Sequence, residues 1–485
     1  MAWARRVLPN ALAAAVVGLL ILAWFGHAFL NYDTFYALLW GDDLVHGRSP
    51  QYQVPFAPTP HPLATAVGAL ASFFGDAGEG VMLGVVLFAI GWLVVGLFWL
   101  GREAFAWPVG LLGAAIFVTR VPPLNYGIRG YVDLPAIAFI VWAAVLEVRR
   151  PRRGWPVLVL LGLAGLLRPE AWLFIAGYWL WLFPSRDWPA RIRLALLAVA
   201  APAVWLVSDA LVTGDALWSL HGTHELAGQL KRPTGIENVP RLMPRRLGEI
   251  VRLPELIASV IGFAGALLWL RRRALVPAAV LVLNAIAYAI LGLVGLSLLG
   301  RYLFLAGAML SLFAAVAVLG WTAVGPGRLR RWWQGVGVVV IAGIIAFSPQ
   351  QADRLSALRT DIANRERVQA DLHELVTRQA LRTGSGPLSG NRGDTSCDYL
   401  YVPNHRPVPE LAYWLGRRPA DILPGPVPYP YRPISDLFIA PANATVAKLS
   451  ILDPRDRTAP AEPPRGFQQF ARNRSWILYG NCHGD

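Results

Sequence analysis

Long apolar runs separated by short arginine clusters dominate this chain, and that alternation restricts it to folds that cross a bilayer. A hydrocarbon core about 30 Å thick is spanned by roughly 20 apolar residues in a helix. Loops rich in Lys and Arg stay on the cytoplasmic side. Together the two rules give eleven spans: 11–30, 81–100, 107–119, 131–148, 155–167, 171–184, 194–212, 255–270, 275–299, 302–320 and 334–349. The amino terminus lies inside and the carboxyl terminus outside. The run 62–74 is apolar but short, and letting it cross would put every later arginine cluster on the wrong face. It is therefore expected in the interface, as a re-entrant or juxtamembrane helix. The run from Ala11 to Leu30 follows Arg5 and Arg6 and has no small-x-small site at its far end, so it reads as an uncleaved first span.

The composition agrees: 55% of residues are hydrophobic and 15% charged, against about 25% charged in soluble domains. A net charge of +14 would suit nucleic acid, but here the cations are confined to the loop clusters, which excludes it. Residues 350–485 differ in kind. The stretch 351–382 is charged, with Leu, Ile and Val at helical spacing, and predicts an amphipathic helix leaving the membrane. Ala444 to Leu452 and Ser475 to Tyr479 read as strands among Pro-rich loops. Cys397 and Cys482 bracket this region, where a disulfide would suit an oxidising compartment. The expected fold is an α-helical polytopic membrane protein of about 11 transmembrane helices (1–349), followed by a small α/β extracytoplasmic domain (350–485).

Candidate functional residues concentrate between Asn31 and Leu63, where Asp33, Asp42, Asp43, His46 and His61 crowd the mouth of the first span. Polar groups at such a place are usually functional. Helical spacing puts Asp33, Tyr36 and Trp40 on one face. Asp33 either caps a short helix or acts chemically, and the density of acids favours chemistry. Asp42 and Asp43 are either a solvated turn or oxygen ligands for a divalent metal. The loop Arg120 to Asp133 brings Arg129 and Asp133 to the outer mouth of another span. Asp133 is an N-cap or a second acid; converging with Asp33, it would tune the base by repulsion or through a shared cation. Arg168 and Glu170 flank Pro169 between two short runs, a break that usually lines a cavity. They neutralise one another, or Arg168 grips a phosphate that Glu170 orients. Arg301 next to Tyr302 at the head of a late span either snorkels or clamps phosphate. His221, His224 and Glu225 resemble a metal half-site, but Gly222 and the absence of HExxH favour a substrate-binding loop. No P-loop, dinucleotide fingerprint or Ser-His-Asp pattern is present.

Asp33-x-x-Tyr36 and Gly47-Arg48-Ser49-Pro50-Gln51-Tyr52 after the first span, Leu167-Arg168-Pro169-Glu170, and Gly300-Arg301-Tyr302 together resemble the GT-C superfamily of glycosyltransferases. That group includes polyprenyl-phosphate-mannose-dependent mannosyltransferases, protein O-mannosyltransferases and aminoarabinose transferases. The resemblance covers roughly residues 11 to 320. It implies an inverting transfer of sugar from a polyprenyl phosphate to a glycan, lipid or protein hydroxyl on the extracytoplasmic face. Asp33 would be the general base, with Asp133 a second acid and Arg168 and Arg301 neutralising the departing phosphate. Asp42-Asp43 departs from the group's pattern and leaves a divalent metal open. The competing readings are a transporter or lipid-linked-sugar flippase, which broken helices and buried charges would also serve, and a non-catalytic scaffold.

Overall fold

A computed structural model describes residues 2–382, 399–424, 436–451, 463 and 466–481. Helices α1 (Ala2–Phe25), α2 (Tyr32–Val45), α3 (Pro62–Ser72), α4 (Gly78–Ala104), α5 (Trp107–Val118), α6 (Val121–Ile128) and α7 (Asp133–Arg149) form the first half. Then come α8 (Trp155–Gly165), α9 (Trp172–Leu182), α10 (Trp188–Thr213), α11 (Trp218–Gln229) and α12 (Val239–Val251). The bundle ends with α13 (Leu253–Gly265), α14 (Leu275–Leu293), α15 (Phe304–Leu319) and α16 (Arg328–Ala346). Among the described residues, seven helices are long and apolar enough to cross a membrane, and α5 with α6, bent by 68° at their junction, makes an eighth candidate.

Burial sorts these helices. α15 is apolar all round and rich in Ala, and every residue from Phe304 to Val318 is buried, which puts it at the bundle centre. α1, α10 and α16 instead leave large apolar side chains uncovered, among them Leu19, Leu211 and Val339. In a bilayer those faces meet lipid, so the chain is a multi-pass membrane protein.

All eleven apolar stretches contain helix, and the short run 62–74 carries α3. The loops between them are more structured than expected. Arg120 to Asp133 holds α6, whose first turn accommodates Pro122 because that position has no intrahelical N–H bond to lose. The segment 213–254 holds α11 and α12.

Beyond the bundle, the long helix α17 (Ser348–Arg382) follows the predicted amphipathic stretch and leads to a five-stranded sheet. Its strands are β1 (Tyr399–Val402), β2 (Ile422–Pro424), β3 (Asp436–Pro441), β4 (Gln468–Arg472) and β5 (Trp476–Gly480), in the order β2-β1-β3-β5-β4. β1 runs parallel to both its neighbours, and β5 antiparallel to β3 and β4. Helix α18 (Val408–Leu415) packs beside it. The strand expected at 475–479 is β5, but that expected at 444–452 is helical through residue 451. Asn443 explains the difference: its side chain caps the turn by accepting from the Val446 amide at 3.0 Å. Cys397 and Cys482 lie outside the described residues.

The apolar core of this sheet region includes a piece of the amino-terminal half. Tyr36, Trp40 and Tyr52 pack with Leu400, Val402, Leu437 and Leu478. On its other side α2 crosses α3 where Gly41 meets Gly68, and a Cβ on either would overlap the partner's backbone. α2 is therefore gripped from both sides, which fixes the place of Asp33.

Candidate active site

The helix that carries Asp33 starts with a different cap. The Asn31 side chain accepts from the Asp33 amide at 2.7 Å, leaving the Asp33 carboxylate free of capping. Asn31 Nδ2 donates to the Arg129 carbonyl at 3.1 Å, and Thr34 Oγ1 donates to the Gly130 carbonyl at 2.5 Å. These bonds tie the start of α2 to the turn that leads into α7, whose first residue is Asp133. Two acids a hundred residues apart in sequence thus converge.

Arg301 joins them. It stands on a short turn between α14 and α15 that Asn284 secures, donating from Nδ2 to the Tyr302 carbonyl at 3.0 Å and accepting from the Ala306 amide at 2.9 Å. Arg301 Nη1 lies 3.1 Å from Asp33 Oδ2 and 3.7 Å from Asp133 Oδ2. Asp133 Oδ1 in turn lies 3.3 Å from Arg168 Nη1, and Arg168 Nη2 donates to Glu170 Oε1 at 2.7 Å. The result is a continuous chain of alternating charge, Asp33–Arg301–Asp133–Arg168–Glu170, in which every member is mostly buried. Arg168 also stacks on the Tyr302 ring, 4.4 Å from its centroid. The cation shared by the two aspartates is a guanidinium. Arg301 Nε has no hydrogen-bond partner, so its fork is only partly used.

Of the five charged residues in this chain of charges all but Asp133 line a cavity of about 660 Å³, as does Tyr302, and Asp133 is buried against Arg168 and Arg301. Arg129 lines it too, its guanidinium near the Tyr131 and Phe29 rings at 5.4 and 5.9 Å. So does His61, at the start of α3, whose imidazole burial and the neighbouring Arg168 push down to about 3 and hence to the neutral form at physiological pH. One wall is apolar, with Leu206, Leu217, Leu220, Leu226, Ile290 and Val294 supplied by α10, α11 and α14. Another part of the lining comes from α17 and the sheet region.

Other sequence candidates lie apart from the cavity. Tyr36 is buried in the sheet-region core, and Tyr32, one turn earlier, takes the place at the cavity wall. The ring ladder on α2 runs through Tyr32, Tyr36 and Trp40 at i, i+4 and i+8. Asp42 and Asp43 are both held by Arg48, at 2.6 and 2.8 Å, at the far end of α2. His221 pairs with Asp215 at 2.7 Å on an exposed face, and His224 is also exposed; the opposite face of α11, with Ser219, Thr223 and Leu226, meets the cavity. Among the described residues no group of three or more His, Cys, Asp or Glu side chains could share a metal ion.

Several lining residues escaped the sequence reading: Arg232, Arg365, Gln369, His405, Arg406 and Glu410. For Arg365 and Gln369 a signal existed. With Val368 and Leu372 they form one face of the amphipathic α17, at spacings of three and four.

No protein-family model and no curated protein matches the sequence. Solved structures do. The crystal structure of ArnT from Cupriavidus metallidurans bound to undecaprenyl phosphate superposes with a TM-score of 0.56 over 99% of this chain and 98% of that one, at 13% identity. The same protein in the apo state gives 0.55 at 12% identity, over the same shares of both chains. The archaeal oligosaccharyltransferase AglB from Archaeoglobus fulgidus, in complex with an inhibitory peptide and a dolichol-phosphate, covers 87% of this chain and 65% of that one. Its 14% identity and TM-score of 0.48 are too loose to build on. Almost the whole chain therefore has the ArnT-like GT-C fold, a helical membrane bundle followed by a small sheet-bearing carboxyl-terminal region.

Proposed function

We propose that this protein is an integral membrane inverting glycosyltransferase that moves a sugar from a polyprenyl phosphate to an acceptor hydroxyl on the extracytoplasmic face. The observation that carries this reading is Arg301, which touches Asp33 and Asp133 from the wall of a cavity whose other side is apolar. A guanidinium with unused donors suits a phosphate. Leu206, Leu217, Leu220, Ile290 and Val294 are partly exposed at the apolar wall, which suits the entry of a prenyl tail from lipid. ArnT, the protein of similar fold, was crystallised with undecaprenyl phosphate.

In this reading the acceptor oxygen forms a bond to the anomeric carbon as the bond from that carbon to the phosphate oxygen breaks, with inversion. Asp33 takes the hydroxyl proton. Arg301 and Arg168 meet the charge developing on the leaving phosphate, where fixed cations help most. Asp133 holds both guanidinium groups in register, while Glu170 and Tyr302 fix Arg168. The bundle to residue 349 performs the chemistry, and the region from 350 covers it from outside.

The test is transfer from a radiolabelled polyprenyl-phosphate sugar by the full-length protein in nanodiscs. Asp33→Asn should lower the transfer rate by about 10²- to 10⁴-fold, the usual worth of a general base. The melting temperature and polyprenyl phosphate binding should hold. Undiminished transfer in this variant would remove the assignment.

A further inference from the structure

The cavity wall facing away from the lipid side has a chemistry of its own. Tyr32, next to Asp33 in the chain, meets the ring of His405 edge-on at 5.2 Å, which ties the start of α2 to the carboxyl-terminal region. Phe56 stacks on that imidazole, with centroids 4.9 Å apart and planes 20° from parallel. Phe56 adopts φ +62°, a left-handed conformation rare for a bulky residue. Its carbonyl is held there by the Tyr32 hydroxyl. Such strain persists only where the surroundings impose it, and it gathers at ligand sites. Thr59, three residues on, is fastened to Thr223 of α11 at 2.5 Å, so the strap 46–61 is pinned on both flanks of the cavity.

The polar groups beside this aromatic face carry little unbalanced charge. Arg365 is paired with Asp361 at 2.8 Å, and Gln369 donates to Glu410. Burial pushes the Glu410 carboxyl up to about 8, which keeps it neutral at pH 7. Arg406 adds a guanidinium at the rim. An aromatic face beside amide, neutral carboxyl and guanidinium donors is suited to a ligand with apolar ring faces and many hydroxyls.

We propose that the wall formed by Phe56, His405, Gln369 and Glu410 is the acceptor subsite and that the acceptor is a saccharide, with Phe56 as the ring-stacking platform that sets specificity. The proposal rests on the transferase reading and names its acceptor class. The saccharide lies on Phe56 with one hydroxyl reaching Asp33, while the donor phosphate occupies Arg301 on the opposite side.

Saturation-transfer difference NMR on the full-length protein in nanodiscs tests this, with a mannose trisaccharide, an arabinofuranose trisaccharide and a Ser/Thr-containing hexapeptide as probes. At least one saccharide should show saturation of its ring C–H protons, and the peptide none. Phe56→Gly removes the ring and also relieves the backbone, so it should fold at least as well as the parent, and the saccharide signal should fall at least fivefold. Phe56→Tyr should keep it. Binding of undecaprenyl phosphate, measured in parallel, should be unchanged in both variants. If neither saccharide binds, if the peptide binds instead, or if Phe56→Gly binds the saccharide normally, the acceptor assignment is overturned. Loss of undecaprenyl phosphate binding by the parent protein would instead strike the transferase reading itself.

Discussion

Two of the buried charge clusters among the described residues are built to opposite ends. Arg120 and Glu255, with side chains 5% and 6% exposed, pair at 2.7 Å where α5 breaks into α6. Every nitrogen of Arg120 is engaged: Nε donates to the Ile116 carbonyl at 3.0 Å, Nη2 to Thr119 Oγ1 at 2.9 Å, and Nη1 to Glu255 and the Val251 carbonyl. The helix ends at this 68° bend and at the close of α12 leave backbone carbonyls in a medium without water, and this arginine binds one from each, Ile116 and Val251. The chain from Asp33 to Glu170 also alternates charges at short range, yet Arg301 Nε and one oxygen each of Asp133 and Glu170 lack a hydrogen bond. It opens on a cavity, and the Arg120 pair does not. Proximity of opposite charges is common to both regions. Unspent hydrogen-bonding capacity facing a void is what separates a site from a structural pin.

Exchanging the arginines' readouts is the sharpest way to break that contrast. Arg301→Gln should cut transfer about 10³-fold, equivalent to ~4 kcal/mol of transition-state stabilisation. It should destabilise the protein less than the matching change at Arg120, because Asp133 keeps Arg168. Arg120→Gln should cost about 3 kcal/mol of stability by stranding Glu255, with kcat of the folded fraction within a few-fold of the parent. Adding Glu255→Gln should recover part of that loss. Thermal unfolding and initial rates on the same four preparations decide the matter, and a large rate effect at Arg120 with none at Arg301 would invert the comparison.

Asp133→Asn probes the step between the two extremes. Asp133 is ion-paired with Arg168 and lies against Arg301, so an amide should loosen both guanidinium groups without removing either. The expected outcome is a rise of about tenfold in KM for the polyprenyl-phosphate sugar, with a smaller change in kcat. A collapse of kcat at unchanged KM would mean that Asp133 takes part in proton transfer.

How much of this was legible beforehand follows from the range of the forces involved. The apolar runs marked the helices because burial in lipid is decided residue by residue, and Asp33, Asp133, Arg168 and Arg301 stood out because charge at a span end demands a reason. Their union through one guanidinium was foreseeable only as a possibility, since it depends on Asn31 and Thr34 reaching across to residues 129 and 130. That Tyr36 and Trp40 turn into a separate core was not legible, because they are recruited by a sheet more than 350 residues later. Helix 444–451 escaped notice because Asn443, a short-range cap, outweighed a composition that suited a strand. The wall made by His405, Arg406 and Glu410 has no local signature, being defined entirely by what it faces.

Glu410 supplies a third way to bury a carboxylate, neither pinned by an arginine nor shared across a cavity but kept protonated. Among the described residues its side chain accepts a hydrogen bond from the Gln369 amide. Burial raises it from the usual value of 4.5 to about 8, so the folded protein holds a proton that the unfolded chain releases across that window. Stability from this group is thus fully present below about pH 4.5 and lost as pH climbs towards 8. The melting temperature should fall between pH 5.5 and 8.5, and Glu410→Gln, which is neutral throughout, should flatten the slope while leaving Arg120 and Arg301 as they were. A parent protein whose slope equals that of Glu410→Gln would mean that Glu410 is ionised in the fold, and the wall beside Phe56 would then carry a charge.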